Sequence, residues 1–411
     1  MSMQNHNHIA IVGAGAAGLI AAGAALSQGA DVTIFEHNSK AGRKLLITGK
    51  GRCNVTNNCS PSDFMQSIVS NPRFLYSAIN SFTPADLMQL IEDHGTPLKT
   101  ERGRRVFPVS DISGDILSAL LRYAKGAKFI HEHVVSLLTE DNHCKGVCTS
   151  NGTYRFDAVI IATGGKSYPR TGSDGSGYQL ASSVGHSITD ILPSLVPLTS
   201  PDLECLEMQG LSLRNVGITV ANASGLILYE DFGELLFTHF GVSGPTILSA
   251  SSCLSDISLK GYTLSIDLKP ALTFEQLDKR LLSDFAKFSN RHFSNGLESL
   301  LPQKMIPVFI KKTGIDPNKK LNSITREERH TIITHLKSFC IRLDGRRSIE
   351  EAIITRGGVC IKEIHPKTMA SKLCQGLYFA GEILDVDAYT GGYNLQIAFS
   401  TAVLAGENAA Q

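Results

Sequence analysis

The chain has 411 residues and carries 39 Lys plus Arg against 38 Asp plus Glu, a net charge of +1 that lacks the excess of cations non-specific nucleic-acid binding needs. Hydrophobic residues at 42% and charged residues at 19% supply large cores and exclude extended disorder, and at roughly 150 residues per domain two or three domains are expected. No apolar run of about 18 residues is present to span a membrane, the polar start Met1–His8 carries no secretory signal, and nine cysteines without a C-x-x-C pair fit reduced thiols in a cytoplasm.

Ile9-Ala10-Ile11-Val12 is a continuous apolar run of buried-strand character that breaks at Gly13-Ala14-Gly15-Ala16-Ala17-Gly18, a G-x-G-x-x-G. A helix of small residues is expected from Leu19 to Gln28, closed by Gly29, followed by a second strand, Asp31–Phe35, that ends at Glu36. Each part has work to do in holding a dinucleotide. Gly13 permits the tight turn, Gly15 lets the backbone approach a pyrophosphate, and Gly18 with Ala21 and Ala22 lets the helix lie close on the sheet. The helix N-terminus offers N–H groups and a partial positive charge to the phosphates. Glu36 accepts from a ribose and disfavours a 2′-phosphate, so FAD or NAD is expected rather than NADP.

Farther along, Gly42–Asn57 (GRKLLITGKGRCNVTN) puts four cations and three glycines into one short span, suited to a loop around a phosphate and a ring system. Ala158–Ile161 is an apolar strand that runs through Ala162 into Thr163-Gly164-Gly165. Near the end, Gly376–Glu382 leads through Asp385 to Thr390-Gly391-Gly392-Tyr393-Asn394-Leu395-Gln396 and a helix of small residues, Ile397–Ala405. A helix start aimed at the pyrimidine edge of a flavin would stabilise negative charge on the reduced ring.

These segments resemble the two-dinucleotide-binding-domain flavoproteins of the glutathione-reductase type, and more narrowly the aminoacetone-oxidase-like (BaiN-like) family of FAD-dependent oxidoreductases. The likeness covers essentially the whole chain and rests on residues 42–57, 103–110 (GRRVFPVS), 192–198 (LPSLVPL), 237–245 (FTHFGVSGP), 355–359 (TRGGV) and 380–396 (AGEILDVDAYTGGYNLQ). It implies that Gly13, Gly15, Ala16, Ala17 and Gly18 hold the FAD pyrophosphate, with Glu36 at the ribose and His37 also at the cofactor. Arg43, Lys44, Thr48, Gly51, Arg52, Cys53, Asn54, Thr163, Gly164 and Gly165 would line the cofactor, with Val134 or Val135 at the adenine. Gly381, Glu382 and Asp385 would meet the ribityl–phosphate side, and Gly392, Tyr393, Asn394 and Leu395 the isoalloxazine. Asp174 stands earlier than the family pattern leads one to expect, so no role is carried onto it.

The expected fold is α/β: a discontinuous Rossmann-like FAD-binding domain (1–190 and 355–411), an inserted small antiparallel β-barrel domain (191–273 and 337–354) and a helical insert (274–336). Strand-like runs such as Val216–Val220 and Gly225–Tyr229 support the barrel, and helical spacing with interspersed charges at Glu275–Phe288 and Arg326–Phe339 supports the insert. No second strand–G-x-G-x-x-G–helix unit is present, so NAD(P)H as electron donor would have to reach the flavin through a surface cleft. His239 and Tyr393 are the candidate catalytic residues, His239 because histidine titrates near neutrality, although bonding to nearby backbone explains it as well. Arg104 and Arg105 suit an anionic substrate or a nicotinamide phosphate, and surface ion pairing equally. Cys53 has no redox partner at C-x-x-x-x-C spacing, so packing is its reading, and no metal is expected. The resulting expectation is hydride transfer through noncovalent FAD between a small organic substrate or NAD(P)H and oxygen or an unsaturated acceptor. An FAD-dependent tRNA-modifying enzyme and a flavin-binding redox sensor are the alternatives. Small-molecule substrates are expected as partners, without nucleic acid or membrane, and the oligomeric state stays open.

Overall fold

The computed structural model describes residues 7–254, 256 and 258–411. These divide into two compact units, one running to Ser194 and resuming at Ser348–Gln411, the other Leu195–Arg347. The first unit is built on five parallel strands: β1 (His8–Val12), β2 (Asp31–Phe35), β3 (Lys128–Ile130), β4 (Ala158–Ile161) and β5 (Leu377–Phe379). Their order is β5-β4-β1-β2-β3, with β1 central, and Ile11 faces Ile34 on one side and Ile160 on the other. β1 is buried beyond its first residue and β4 throughout, which is why both read as unbroken apolar runs rather than alternating ones.

Helix α1 (Ala16–Ser27) joins β1 to β2 and buries nine consecutive residues, Ala17–Ala25. Small side chains let the C-terminal helix lie directly against it: a Cβ on Gly406 would come within 3.0 Å of the Ala24 Cβ. That last helix spans Tyr393–Ala409 and is itself largely buried. Smaller antiparallel sheets border the parallel one. Leu98–Glu101 and Arg105–Pro108 form a hairpin whose second strand also pairs with Thr56–Asn57, and Val134–Glu140, His143–Thr149 and Thr153–Arg155 form a meander.

In the second unit seven strands form an antiparallel sheet whose two outer members are Phe339–Leu343 and Gly345–Arg346. Only Asp344 separates these strands, which lie at opposite ends of the order, so the sheet must curl round until its edges meet, as in a small barrel. The helices Phe274–Lys287 and Arg326–Lys337 are each started by a threonine capping box, from Thr273 and Thr325. Their apolar faces (Leu277 and Leu281; Ile332 and Ile333) pack into the same core as Val220, Leu264 and Ile341 of the sheet. The helical segment expected as a separate insert therefore shares one core with the strands, because its amphipathic helices have a single apolar face each and spend it there.

Candidate cofactor cleft

The turn after β1 separates two kinds of glycine. Gly13 has φ +104 and donates its N–H to the Phe35 carbonyl at 2.8 Å, and a Cβ there would lie 2.7 Å from the Ala162 oxygen. A Cβ on Gly18 would collide with the Gly13 carbonyl. Protein packing alone demands glycine at both places. Gly15 differs: its φ is −81, and a Cβ would meet nothing within 4 Å. As the N-cap of α1 it offers no capping side chain, so no capping side chain takes up the first-turn N–H groups, which remain available to an anion.

Glu36 is buried at the end of β2. Its Oε2 accepts from the Ala14 N–H at 2.9 Å, and its Oε1 accepts from the backbone and side-chain amides of Asn38, each at 2.7 Å. Asn38 Oδ1 in turn accepts from Arg43. Around this turn opens a cleft lined by Gly13, Gly15, Ala16, Ala17, Glu36, His37, Arg43, Lys44, Thr48, Val134, Thr163, Gly164, Glu382, Asn394 and Leu395, all residues singled out from the sequence. On its wall Glu382 draws together three distant segments. Lys44 Nζ donates to its Oε2 at 2.6 Å and to Ser167 Oγ at 2.6 Å; Ser167 Oγ donates to Oε1 at 2.9 Å, and the Thr355 N–H does so at 2.8 Å.

The other candidates stand apart from the cleft lining. Arg52 is drawn into an ion-pair network with Glu101 and Asp111, shared by Lys99, and its guanidinium lies 4.1 Å from the Phe107 ring centre. Cys53 is fully buried, and burial pushes its thiol up to about 12, the state of a packing residue rather than a nucleophile. Its neighbour Asn54 has a buried Oδ1 without a hydrogen-bond partner. Gly51 has φ +85. Gly165 is hemmed in by Thr355 and Glu382, while Gly381 faces the Ala17 side chain, where a Cβ would come within 2.8 Å. Asp385 accepts through its carbonyl from Asn71 Nδ2 at 2.7 Å. Gly392, with φ +96, is the N-cap of the last helix and sits against Thr56. Tyr393 is half-buried edge-on to Phe64, and burial raises its hydroxyl pKa. His239 belongs to the second unit, exposed beside Phe240.

Several cleft residues escaped the sequence reading: Asn38, Glu132, His133, Thr171, Gly172 and Ser173. Asn38 was accessible, since an amide two residues after the ribose-side acid folds back on it naturally. The remainder come from loops without a pattern of their own. Asp174 does not line the cleft; its Oδ1 accepts from the Ser176 N–H at 2.9 Å.

The cleft fits FAD by its own features: an open position at Gly15, an uncapped helix start, and a buried Thr163 hydroxyl without a hydrogen-bond partner on the wall. Fold and cleft together define an FAD-dependent oxidoreductase. A family model described as HI0933-like protein Rossmann domain matches residues 7–408, and the chain belongs to that family. It is 30% identical to a 3-dehydro-bile acid delta(4,6)-reductase of Clostridium scindens, over 98% of this chain and 99% of the relative. It is 31% identical to a ribosomal RNA dihydrouridine synthase of Haemophilus influenzae, over 97% of this chain and 98% of the relative. Among solved structures, a 3-ketosteroid-delta4-(5alpha)-dehydrogenase of Rhodococcus jostii shares the fold, with a TM-score of 0.55 at 17% identity, over 100% of this chain and 98% of that one. Among the described residues no helix is long and apolar enough to cross a membrane.

Proposed function

We propose that this enzyme saturates a carbon–carbon double bond conjugated to a carbonyl, with reducing equivalents from NAD(P)H. One observation carries the reading: two relatives, each aligned along nearly the whole chain, bear different substrate names and one kind of chemistry. Reduction of an unsaturated 3-dehydro acid and conversion of uridine to dihydrouridine both add hydrogen across an alkene activated by a carbonyl. Bound FAD supplies the two-electron hydride transfer such a reaction needs.

The chain's residues divide the remaining work. The Gly13–Ala17 turn and the start of α1 would hold the phosphates, and Glu36, kept in place by Ala14 and Asn38, would accept from the ribose. Lys44, anchored by Glu382 and Ser167, presents an ammonium on the cleft wall. Its third N–H remains for the cofactor, since an ammonium carries three donors. At the turn Gly391-Gly392 the start of the last helix is uncapped, and its N–H groups would favour negative charge developing on a flavin ring held there. Tyr393, at the start of the last helix, remains a candidate proton donor, whereas His239 belongs to the second unit.

The substrate separates into a small unsaturated acid and an RNA, and the two ribosomal RNA dihydrouridine synthases among the relatives favour keeping the RNA reading as the second. The test is to reduce the holoenzyme anaerobically, then mix it with a 3-oxo-Δ4 steroid acid or with unmodified ribosomal RNA. Flavin reoxidation with product gain of two hydrogens on one of them supports the reading. Reoxidation by oxygen alone, with neither acceptor saturated, would refute it.

A further inference from the structure

The sequence has a single strand–G-x-G-x-x-G–helix unit and FAD takes it, so a nicotinamide donor needs contacts elsewhere. The hairpin Leu98–Glu101/Arg105–Pro108 supplies a set outside the cleft lining. Its turn passes through Gly103 at φ +75 and Arg104 at φ +59, and this backbone leaves Arg102, Arg104 and Arg105 all exposed. Arg104 is paired with Asp63 at 2.9 Å. Among the described residues Arg102 and Arg105 have no carboxylate within ion-pair distance, and Arg105 Nε donates only to the Arg102 carbonyl, at 3.1 Å. The acids nearest in sequence are engaged: Glu101 and Asp111 are held by Arg52 and Lys99.

A second observation ties this turn to the flavin side. Asn57 Nδ2 donates to the Gly103 carbonyl at 3.0 Å and to the Gly391 carbonyl at 3.2 Å. One side-chain amide therefore clamps the arginine turn against the turn that opens the last helix. The turn that carries two guanidinium groups free of acidic partners is thus tied through its backbone to the turn at the start of the last helix. A planar guanidinium fork matches the oxygens of a phosphate dianion, and a pair of forks matches it better than one.

We propose that Arg102 and Arg105 bind the 2′-phosphate of NADPH and make it the preferred electron donor, an inference that rests on the reductase reading above. The chemistry balances: the C4–H bond of the dihydronicotinamide breaks, its hydride with one proton from water reduces FAD by two electrons, and NADP+ leaves.

The experiment compares the holoenzyme with its Arg102→Gln/Arg105→Gln variant, two exposed substitutions whose folding is checked by Tm and FAD content. Adenosine 2′,5′-bisphosphate, a redox-inert probe, is titrated calorimetrically, and anaerobic flavin reduction by NADPH and NADH is followed by stopped flow. The probe should bind the unmodified holoenzyme, its Kd should rise about tenfold or more in the variant, and the preference for NADPH over NADH should fall by a similar factor. Absence of probe binding, or an unchanged Kd and donor preference in the variant, overturns the proposal. So does a variant that loses retention of an RNA oligonucleotide while binding the probe normally, since the phosphate would then be that of a nucleic acid. Photoreduced holoenzyme keeps the two readings apart: if it still saturates the acceptor, the reductase reading stands whatever becomes of the arginine turn.

Discussion

Gly392 is where backbone geometry and the proposed chemistry meet most closely, and Gly392→Ala separates them. At φ +96 an alanine is strained by about 1–2 kcal/mol. Its Cβ would also press into the Thr56 carbonyl and lie 2.7 Å from the Thr56 Cα, backbone that cannot swing aside as a side chain would. Such overpacking costs about 1–3 kcal/mol, so the total is roughly 2–5 kcal/mol, within the roughly 5–15 kcal/mol by which a domain is stable. The variant should therefore fold with a lowered Tm, relieving the clash by moving the helix start away from Thr56 by about 1 Å. Misplacement on that scale can slow a positioned reaction by about a hundredfold. Loss of about 1.4 kcal/mol of stabilisation of the reduced flavin lowers the two-electron potential by ~30 mV. FAD affinity should fall less, because the Gly13–Glu36 half of the cleft is built by β1, α1 and β2, elements to which Gly392 does not belong. Spectroelectrochemistry, anaerobic stopped flow and thermal unfolding of the same preparation give the three numbers. A variant with lowered Tm but unchanged potential and reduction rate would show that the reactive end of the cofactor lies elsewhere.

Gly15→Val should leave the Tm of the apoprotein almost unchanged, since a Cβ there meets nothing, yet abolish FAD retention; FAD bound at full occupancy would refute the phosphate turn. Lys44→Met and Glu382→Gln should be strongly non-additive in unfolding experiments, with a coupling of about 1–3 kcal/mol for a half-buried pair, and simple additivity would dissolve the assigned network. His186 is fully buried between Glu363 and Ser371; Ser371 Oγ already accepts from the Leu373 and Cys374 N–H groups, so its own proton goes to His186 Nε2 at 2.7 Å while Nδ1–H donates to Glu363 at 3.1 Å. Burial lowers its pKa, so below the usual histidine pKa of about 6.5 the unfolded chain takes up the proton more readily and stability drops as pH falls. His186→Phe should flatten that slope between about pH 7.5 and 5.5 in urea titrations, and an unchanged slope would assign it to other groups.

How much of this was legible in advance follows from the range over which each constraint acts. The first strand, turn, helix and acid are local: a buried parallel strand must be apolar throughout, and Gly13 and Gly18 are demanded by atoms at Ala162 and at Gly13 itself, so composition and spacing reveal them. The parallel sheet and the antiparallel sheets follow from similar patterning. Long-range polar pairing leaves no such mark. Glu382 reads in sequence as a residue facing the cofactor, yet its carboxylate is taken up by Lys44, Ser167 and Thr355, three segments brought in by strands far apart in the chain. Arg52 reads as one more cation in a phosphate loop, and only the fold reveals Glu101 and Asp111 neutralising it. The converse holds for Arg102, an ordinary surface cation in sequence, and Arg105, for which anion binding and surface pairing read equally there; both become distinctive once nearby acids are seen to be engaged elsewhere. The helical segment misleads for a related reason: amphipathic spacing shows that a face will be buried but not against what, and here the partner is the neighbouring sheet. Charge, unlike hydrophobic periodicity, acquires its meaning from what it meets or fails to meet, and two cations without an ion pair stand on the turn that Asn57 clamps to Gly391.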